Sequence, residues 1–157
     1  MAIWVSRYSN KELRKGNYYP VGISLGTPKW PLGYEVREQC YSLAPKGFML
    51  NLEKDEYREA YFQKLDNLGR EKIFGIVSRL DEKARAENKE LVLLCYEDVR
   101  NPDEWCHRTM FAEWWGINVG EVIEELPDSS IPKSKKKEIS KPIEEKPKEV
   151  YEQLSLF

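Results

Sequence analysis

The residues best suited to chemistry follow an apolar run at positions 91–95. Two of the chain's three cysteines and its only histidine lie in or soon after this run. Glu97 comes two residues after the run, and Cys106, His107 and Arg108 are consecutive. A thiolate, an imidazole and a carboxylate can supply a nucleophile and a general acid or base. A guanidinium can bind an anion through paired hydrogen bonds.

Two chemistries fit this constellation, and both assume that the apolar strand and the following helix are adjacent. In the first, Cys106 has a lowered pKa near a helix N-terminus and acts as a nucleophile, with His107 as acid or base and Glu97 to orient it. In the second, which we favour, the positive helix end and the basic side chains form an anion or nucleotide pocket. The residues predicted to bind the anion or nucleotide are Arg108, Arg7, Ser24 and Lys29.

A zinc site is a third possibility, built from Cys95, Cys106, His107 and either Glu97 or Cys40. The spacing of these residues matches no closed metal-binding motif, so we predict neither a metal nor a cofactor. Cys95 ends an apolar run and is interpreted as a buried core thiol. Cys106 and His107 are neighbours on a predicted helix and should point about 100° apart.

Strands and helices alternate along the chain. Aromatic, β-branched and apolar runs predict strands over residues 3–8, 18–25 and 91–95. The unbroken apolar run of the last one is typical of a strand covered on both faces, as in parallel sheets. The loop over residues 26–33 directly follows the second strand, where α/β folds usually bind ligands.

Helical spacing predicts two helices, one over residues 55–68 and one over 73–84, separated at Gly69. We interpret both as packing elements. Asn101 as N-cap and Pro102 as first helical residue predict a third helix that ends at Gly116. The predicted fold class is therefore α/β: a compact two-layer or three-layer domain around a small, mostly parallel sheet.

Composition divides the chain into three parts. Residues 1–127 have the composition of one α/β domain, whereas residues 128–150 are rich in Lys, Glu, Pro and Ser and are predicted to be a disordered linker. Residues 151–157 form a short linear motif. The net charge of −2 gives no overall attraction to nucleic acid or anionic membranes. Lacking a membrane-length apolar stretch and a signal peptide, the chain is predicted to be cytoplasmic with reduced thiols.

The motif at the end of the chain reads QLSLF. It resembles the Gln-Leu-Ser/Asp-Leu-Phe motif by which many bacterial proteins dock on the replication sliding clamp (the polymerase β subunit). A chance match has a frequency on the order of one in 10⁵ or rarer. A linker of about 25 residues would let the domain range roughly 25–30 Å from the clamp. The predicted partner-binding residues are Gln153, Leu154, Ser155, Leu156 and Phe157.

The sequence LLCYE followed by CHR resembles the domain of unknown function 488 family. The resemblance covers residues 1–126 and implies a compact α/β domain with the motif residues gathered at one pocket, but it supplies no established reaction. The loop containing Asn101 and Pro102 is longer here, and the clamp motif is an addition to the family pattern. The matching features are residues 3–8, Gly22-Ile23-Ser24, residues 26–30, Leu43-Ala44-Pro45, Leu94-Cys95-Tyr96-Glu97 and Cys106-His107-Arg108.

These features predict a replication- or repair-associated protein that docks on the clamp and carries a pocket for DNA or nucleotides, whether or not it is an enzyme. The alternative is a non-enzymatic modulator, encoded by a phage or mobile element, that occupies the clamp pocket and displaces host partners. A zinc or redox-sensing module is a third hypothesis.

Overall fold

A computed structural model of the chain describes residues 1–132; most of the predicted linker and the whole QLSLF motif lie outside this part. Five parallel strands form one sheet. The strands are β1 (Ile3–Arg7), β2 (Tyr18–Gly22), β3 (Glu38–Gln39), β4 (Glu90–Cys95) and β5 (Glu124–Glu125), in the spatial order β3-β2-β4-β1-β5. The predicted α/β class and parallel sheet are confirmed.

Three helices lie on one face of the sheet: α1 (Lys54–Leu68), α2 (Arg70–Ala86) and α3 (His107–Asn118). Gly69 separates α1 from α2 with a φ of 94°, a conformation that glycine adopts without a steric penalty. The core between helices and sheet includes Val5, Val21, Leu91 and Leu93 from alternate strand positions. None of the helices in the described part is long and apolar enough to cross a membrane.

The opposite face of the sheet carries no α-helix in the described part of the chain. A 3₁₀ turn (Lys11–Lys15) and the loop around Tyr34 cover it, packing on Val92 and Leu94. Asn10 caps the turn by accepting a hydrogen bond from the Glu12 amide. Central strand β4 is therefore buried on both faces, as its unbroken apolar run predicts.

The prediction for the start and end of the third helix is wrong. Helix α3 begins at His107 rather than Pro102, because the Asn101 side chain donates to Glu104 Oε2 at 3.0 Å and so closes a turn of the preceding loop. Glu104 Oε1 accepts from the Asp98 amide at 3.1 Å, which closes the same loop. The helix also continues past Gly116 to Asn118.

Two other boundaries differ from the sequence prediction. Strand β2 ends at Gly22 rather than at residue 25, because the Ser24 hydroxyl donates to the carbonyl of Gly26 at 2.6 Å and turns the chain. At the other end of the domain, Asp128 Oδ2 accepts from Arg7 Nε at 2.6 Å, and Ser130 Oγ accepts from Arg7 Nη2 at 2.6 Å. Contacts of the folded domain therefore continue into the first residues of the predicted linker.

Candidate functional site

A cavity of about 430 Å³ opens at the carboxyl edge of the sheet, between the ends of β2 and β4 and the start of α3. Ligands of open parallel sheets usually bind at this edge. The residues that line it are Ser24, Leu25, Gly26, Pro45, Leu50, Leu52, Tyr57, Cys95, Tyr96, Glu97, Asp103, Glu104, Trp105, Cys106 and His107. Of the predicted site residues, Ser24, Glu97, Cys106 and His107 meet here.

Two thiols share one imidazole nitrogen at the floor of this cavity. Cys95 Sγ lies 3.4 Å from His107 Nδ1, and Cys106 Sγ lies 3.8 Å from the same atom. All three side chains are buried. The prediction that Cys106 and His107 point apart is wrong, because Cys106 precedes the helix in an extended conformation with φ −147° and ψ 150°. Cys95 is buried as predicted, but it belongs to the site as well as to the core.

The ring of His107 is held in one orientation. Its Nε2 lies 2.5 Å from the carbonyl oxygen of Ile23, which can only accept, so Nε2 carries a proton. Nδ1 faces both sulfurs: it presents a lone pair to them when the ring is neutral and donates a hydrogen bond when the ring is charged. Tyr61 contacts the imidazole edge-on at 5.4 Å between ring centres and is itself fixed by donating to the Leu43 carbonyl at 2.6 Å.

The acidity of the two thiols differs. Burial opposes ionisation of Cys106, but hydrogen bonds with Cys95 and His107, and the charges of His107 and Arg108, hold the pKa of Cys106 well below its ordinary value. Burial, together with the neighbouring Cys106 thiolate, raises the pKa of Cys95 well above its ordinary value. The two pKa values shift in opposite directions, which favours Cys106 over Cys95 as the thiol that ionises.

Glu97 lies at the exposed side of the same cluster. Its Oε1 is 3.7 Å from Cys95 Sγ. Burial of the carboxyl group, followed by the negative charge of Cys106, raises the pKa of Glu97 to about 7. A carboxyl group with this pKa can both donate and accept a proton near neutral pH.

The predicted basic residues do not converge on the cavity. The Arg108 side chain is completely buried and donates to Glu125 Oε2 at 2.7 Å from Nη2. Arg7 is engaged with Asp128, and Lys29 is exposed on the loop after β2. Among the described residues that line the cavity, none is Lys or Arg, whereas three are carboxylates. The cavity is therefore unsuited to a phosphate or another strong anion, contrary to the favoured prediction.

Aromatic side chains form much of the wall. Trp105 and Tyr57 make an edge contact at 4.9 Å between ring centres, and Tyr57 also faces His107 at 6.4 Å. On the other side, Tyr96 is partly exposed and packs 6.0 Å from Trp30. The cavity is thus lined by aromatic rings and carboxylates rather than by positive charge.

Ser24 takes part in the site through a fixed hydroxyl group. Because its Oγ donates to the carbonyl of Gly26, the Tyr8 hydroxyl at 2.6 Å must be the donor to Ser24. The Ser24 oxygen retains acceptor capacity toward the cavity. A ligand at this position could therefore donate a hydrogen bond to Ser24 but could not accept one from it.

Sequence reasoning assigns neither Tyr57 nor Trp105 to the site, and it interprets Cys95 as a core thiol. Tyr57 belongs to a helix interpreted as packing only, and nothing in the spacing of its neighbours marks it as part of a site. Trp105 directly precedes Cys106, and this position beside the reactive residues was the available signal.

Comparisons of the chain with protein-family models, with curated proteins and with solved structures found no match.

Proposed function

We propose that this protein docks on the bacterial sliding clamp through residues 153–157 and uses its cavity to bind a nucleobase, either of DNA or of a nucleotide. The observation that carries the proposal is the complete match of QLSLF to the clamp-docking motif. In short linear motifs, a few apolar side chains in the partner's pocket supply most of the affinity. Leu156 and Phe157 are those anchors, and Gln153 makes polar contacts at the pocket rim.

The cavity favours a base over a phosphate on physical grounds. Trp105 and Tyr57 line the cavity. Stacking of a planar base on an aromatic side chain is worth about 1–3 kcal/mol per base. Glu97 accepts hydrogen bonds, and the exocyclic amino groups of cytosine, adenine and guanine donate them. Three carboxylates at the wall repel a phosphate, so the phosphates of a bound nucleotide would point out toward solvent.

Residues of the two motifs that resemble a known family line the same cavity. Of the two motifs that resemble the domain of unknown function 488 family, residues 95–97 and residues 106–107 reach it. Arg108 lies outside it, bound to Glu125. We infer that the domain belongs to that family and that Arg108 serves folding rather than ligand binding.

Clamp docking is tested by isothermal titration of the full chain, and of a peptide ending in QLSLF, into purified clamp. We expect both to bind, and Leu156→Ala and Phe157→Ala each to weaken binding about 30-fold, the effect of losing an anchor worth 2 kcal/mol. Ser155→Asp is the matched control, since the motif takes Ser or Asp there, and it should bind as the parent does. Absence of binding at high micromolar concentration, or equal binding of the alanine variants, refutes docking.

Base recognition is tested separately by titrating nucleosides, nucleotides and inorganic phosphate while following tryptophan fluorescence. We expect nucleosides and their phosphates to bind with similar affinity and phosphate alone not to bind. Trp105→Ala should weaken nucleoside binding by about tenfold or more, from the loss of one stacking contact. If binding requires a phosphate group, the proposal that the base enters the cavity and the phosphates face solvent is wrong. If a chain lacking the last ten residues binds no nucleoside or DNA, the non-enzymatic clamp modulator becomes the better account.

A further inference from the structure

The geometry points to a Zn²⁺ site formed by Cys95 Sγ, Cys106 Sγ and His107 Nδ1, with its fourth position open to the cavity beside Glu97. The three ligand atoms lie within 4.8 Å of one another and are buried at the cavity floor. Three protein ligands with an open fourth position are the arrangement of catalytic zinc sites, and two cysteines with one histidine are a known ligand set. The spacing of these ligands matches no closed metal-binding motif, because they come from the end of a strand and the start of a helix.

The distances from His107 Nδ1 to the two sulfurs match a tetrahedral zinc centre. Zinc–sulfur bonds of about 2.3 Å and zinc–nitrogen bonds of about 2.05 Å give a sulfur–nitrogen separation of about 3.5 Å at the tetrahedral angle. The observed separations from His107 Nδ1 are 3.4 Å to Cys95 Sγ and 3.8 Å to Cys106 Sγ. Zinc can therefore bind His107 Nδ1 together with either sulfur after shifts of a few tenths of an ångström. The two sulfurs lie within 4.8 Å of each other, against about 3.8 Å in such a centre.

The surroundings of His107 are those of a metal ligand. Its Nε2–H donates to the carbonyl of Ile23, which leaves the Nδ1 lone pair directed at the two sulfurs. Metal-binding histidines almost always have their second nitrogen fixed in this way, which sets the tautomer and the ring orientation. Tyr61 packs against the ring and limits its rotation.

Glu97 lies on the cavity side of the cluster, with Oε1 3.7 Å from Cys95 Sγ. In this position its carboxylate can accept a hydrogen bond from a water molecule in the fourth coordination position. Zinc deaminases combine a His/Cys/Cys-bound zinc with a glutamate that does not bind the metal. The likeness is one of chemistry alone, and the metal proposal depends on neither clamp docking nor base binding.

A simple nucleophilic pair explains the arrangement less well. A Cys–His pair needs one sulfur beside the imidazole, whereas here a second sulfur lies even closer to the same nitrogen. Cys106 is also only 2% exposed, which limits its access to a substrate. Zinc explains why two thiols and one imidazole nitrogen share the same point.

The test uses the full chain, purified reduced, incubated with Zn²⁺ and desalted. We expect one zinc per chain by mass spectrometry, and protection of two of the three cysteines from a thiol reagent until a chelator is added. With Co²⁺ in place of zinc, thiolate-to-cobalt charge-transfer bands should appear. Cys95→Ser and Cys106→Ser should each weaken zinc binding at least about 100-fold, whereas Cys40→Ser should bind normally, because Cys40 lies outside the cluster.

Several outcomes would overturn the proposal. Less than half an equivalent of zinc on the reduced wild-type chain, or unprotected Cys95 and Cys106, excludes the site without relying on any variant. Undiminished zinc binding by Cys95→Ser or Cys106→Ser, with circular dichroism showing the variant folded, places the metal elsewhere. If the chain carries one iron ion that zinc does not displace, the metal of this site is not zinc. Glu97→Gln should still bind one zinc per chain. If this variant binds no zinc, Glu97 is a ligand and the fourth position is not open.

Discussion

The pairing of Arg108 with Glu125 makes a strong prediction about stability. The Arg108 guanidinium is completely buried and donates to Glu125 through Nε at 3.2 Å and Nη2 at 2.7 Å. Truncation of one partner of a buried ion pair costs about 3–5 kcal/mol, because the remaining charge is left unpaired. The Glu125 side chain is 35% exposed, so water can partly replace it. We therefore expect Glu125→Ala to lower the free energy of unfolding by about 2–3 kcal/mol, below that range.

The assay is urea unfolding followed by circular dichroism, on wild type and variants at the same pH. A loss of 2–3 kcal/mol corresponds to a decrease of roughly 10 °C in Tm for a domain of this size. Glu125→Gln should cost less, since the amide oxygen still accepts a hydrogen bond. Glu124→Ala is the matched control in the same strand, and this exposed residue should change stability by no more than about 0.5 kcal/mol.

An unchanged stability of Glu125→Ala would contradict the structural role of Arg108 and favour its predicted role in ligand binding. If Glu125→Ala unfolds within about 0.5 kcal/mol of wild type, Arg108 does not depend on that carboxylate. If the same variant also changes nucleotide affinity, the guanidinium is available to a ligand. A double variant, Arg108→Met with Glu125→Met, should recover part of the lost stability, because an apolar pair leaves no buried charge unpaired.

Three further predictions concern positions near the cavity. Hydrogen bonding to Arg100 lowers the pKa of Asp98, so the contribution of this carboxylate to stability should be present above about pH 4 and lost as the pH falls through its lowered pKa. In urea unfolding, the difference between Asp98→Asn and wild type should therefore be full at pH 7 and shrink steadily as the pH falls below about 4. Gly22→Ala should cost about 1–3 kcal/mol by the same assay, since an added Cβ would lie 2.4–2.5 Å from neighbouring side-chain atoms. Tyr61→Phe should cost about 1–3 kcal/mol, because the buried Leu43 carbonyl loses its donor at 2.6 Å, and denaturant midpoints will show it.

The sheet and two helices were predictable because their signals are local. The apolar run at residues 91–95 specifies a strand buried on both faces, and the spacing of Tyr57, Tyr61 and Leu65 specifies one buried helix face. Gly69 ends that helix because few other residues adopt its positive φ. Each of these features depends on residues close together in the sequence.

The site could be located from the sequence, but its charge could not. Glu97, Cys106 and His107 were identified because parallel strands end at one edge of the sheet. Whether Arg108 faces the cavity depends on Glu125, whose strand pairs with β1 only in the folded domain. The sequence alone does not show that a carboxylate 17 residues later takes up the guanidinium. An anion pocket was therefore predicted where the structure has carboxylates and aromatic rings.

The start of α3 at His107, rather than at Pro102, explains why the two thiols meet the imidazole. A helix beginning at Pro102 would place Cys106 and His107 about 100° apart, so that only one could face Cys95. In the structure, Asn101 and Glu104 close a loop instead, and Cys106 stays extended in front of the helix. Its thiol can then lie beside the Nδ1 of the next residue, at the point where Cys95 arrives from β4. The loop closed by Asn101 and Glu104 is therefore what brings both sulfurs to one imidazole nitrogen.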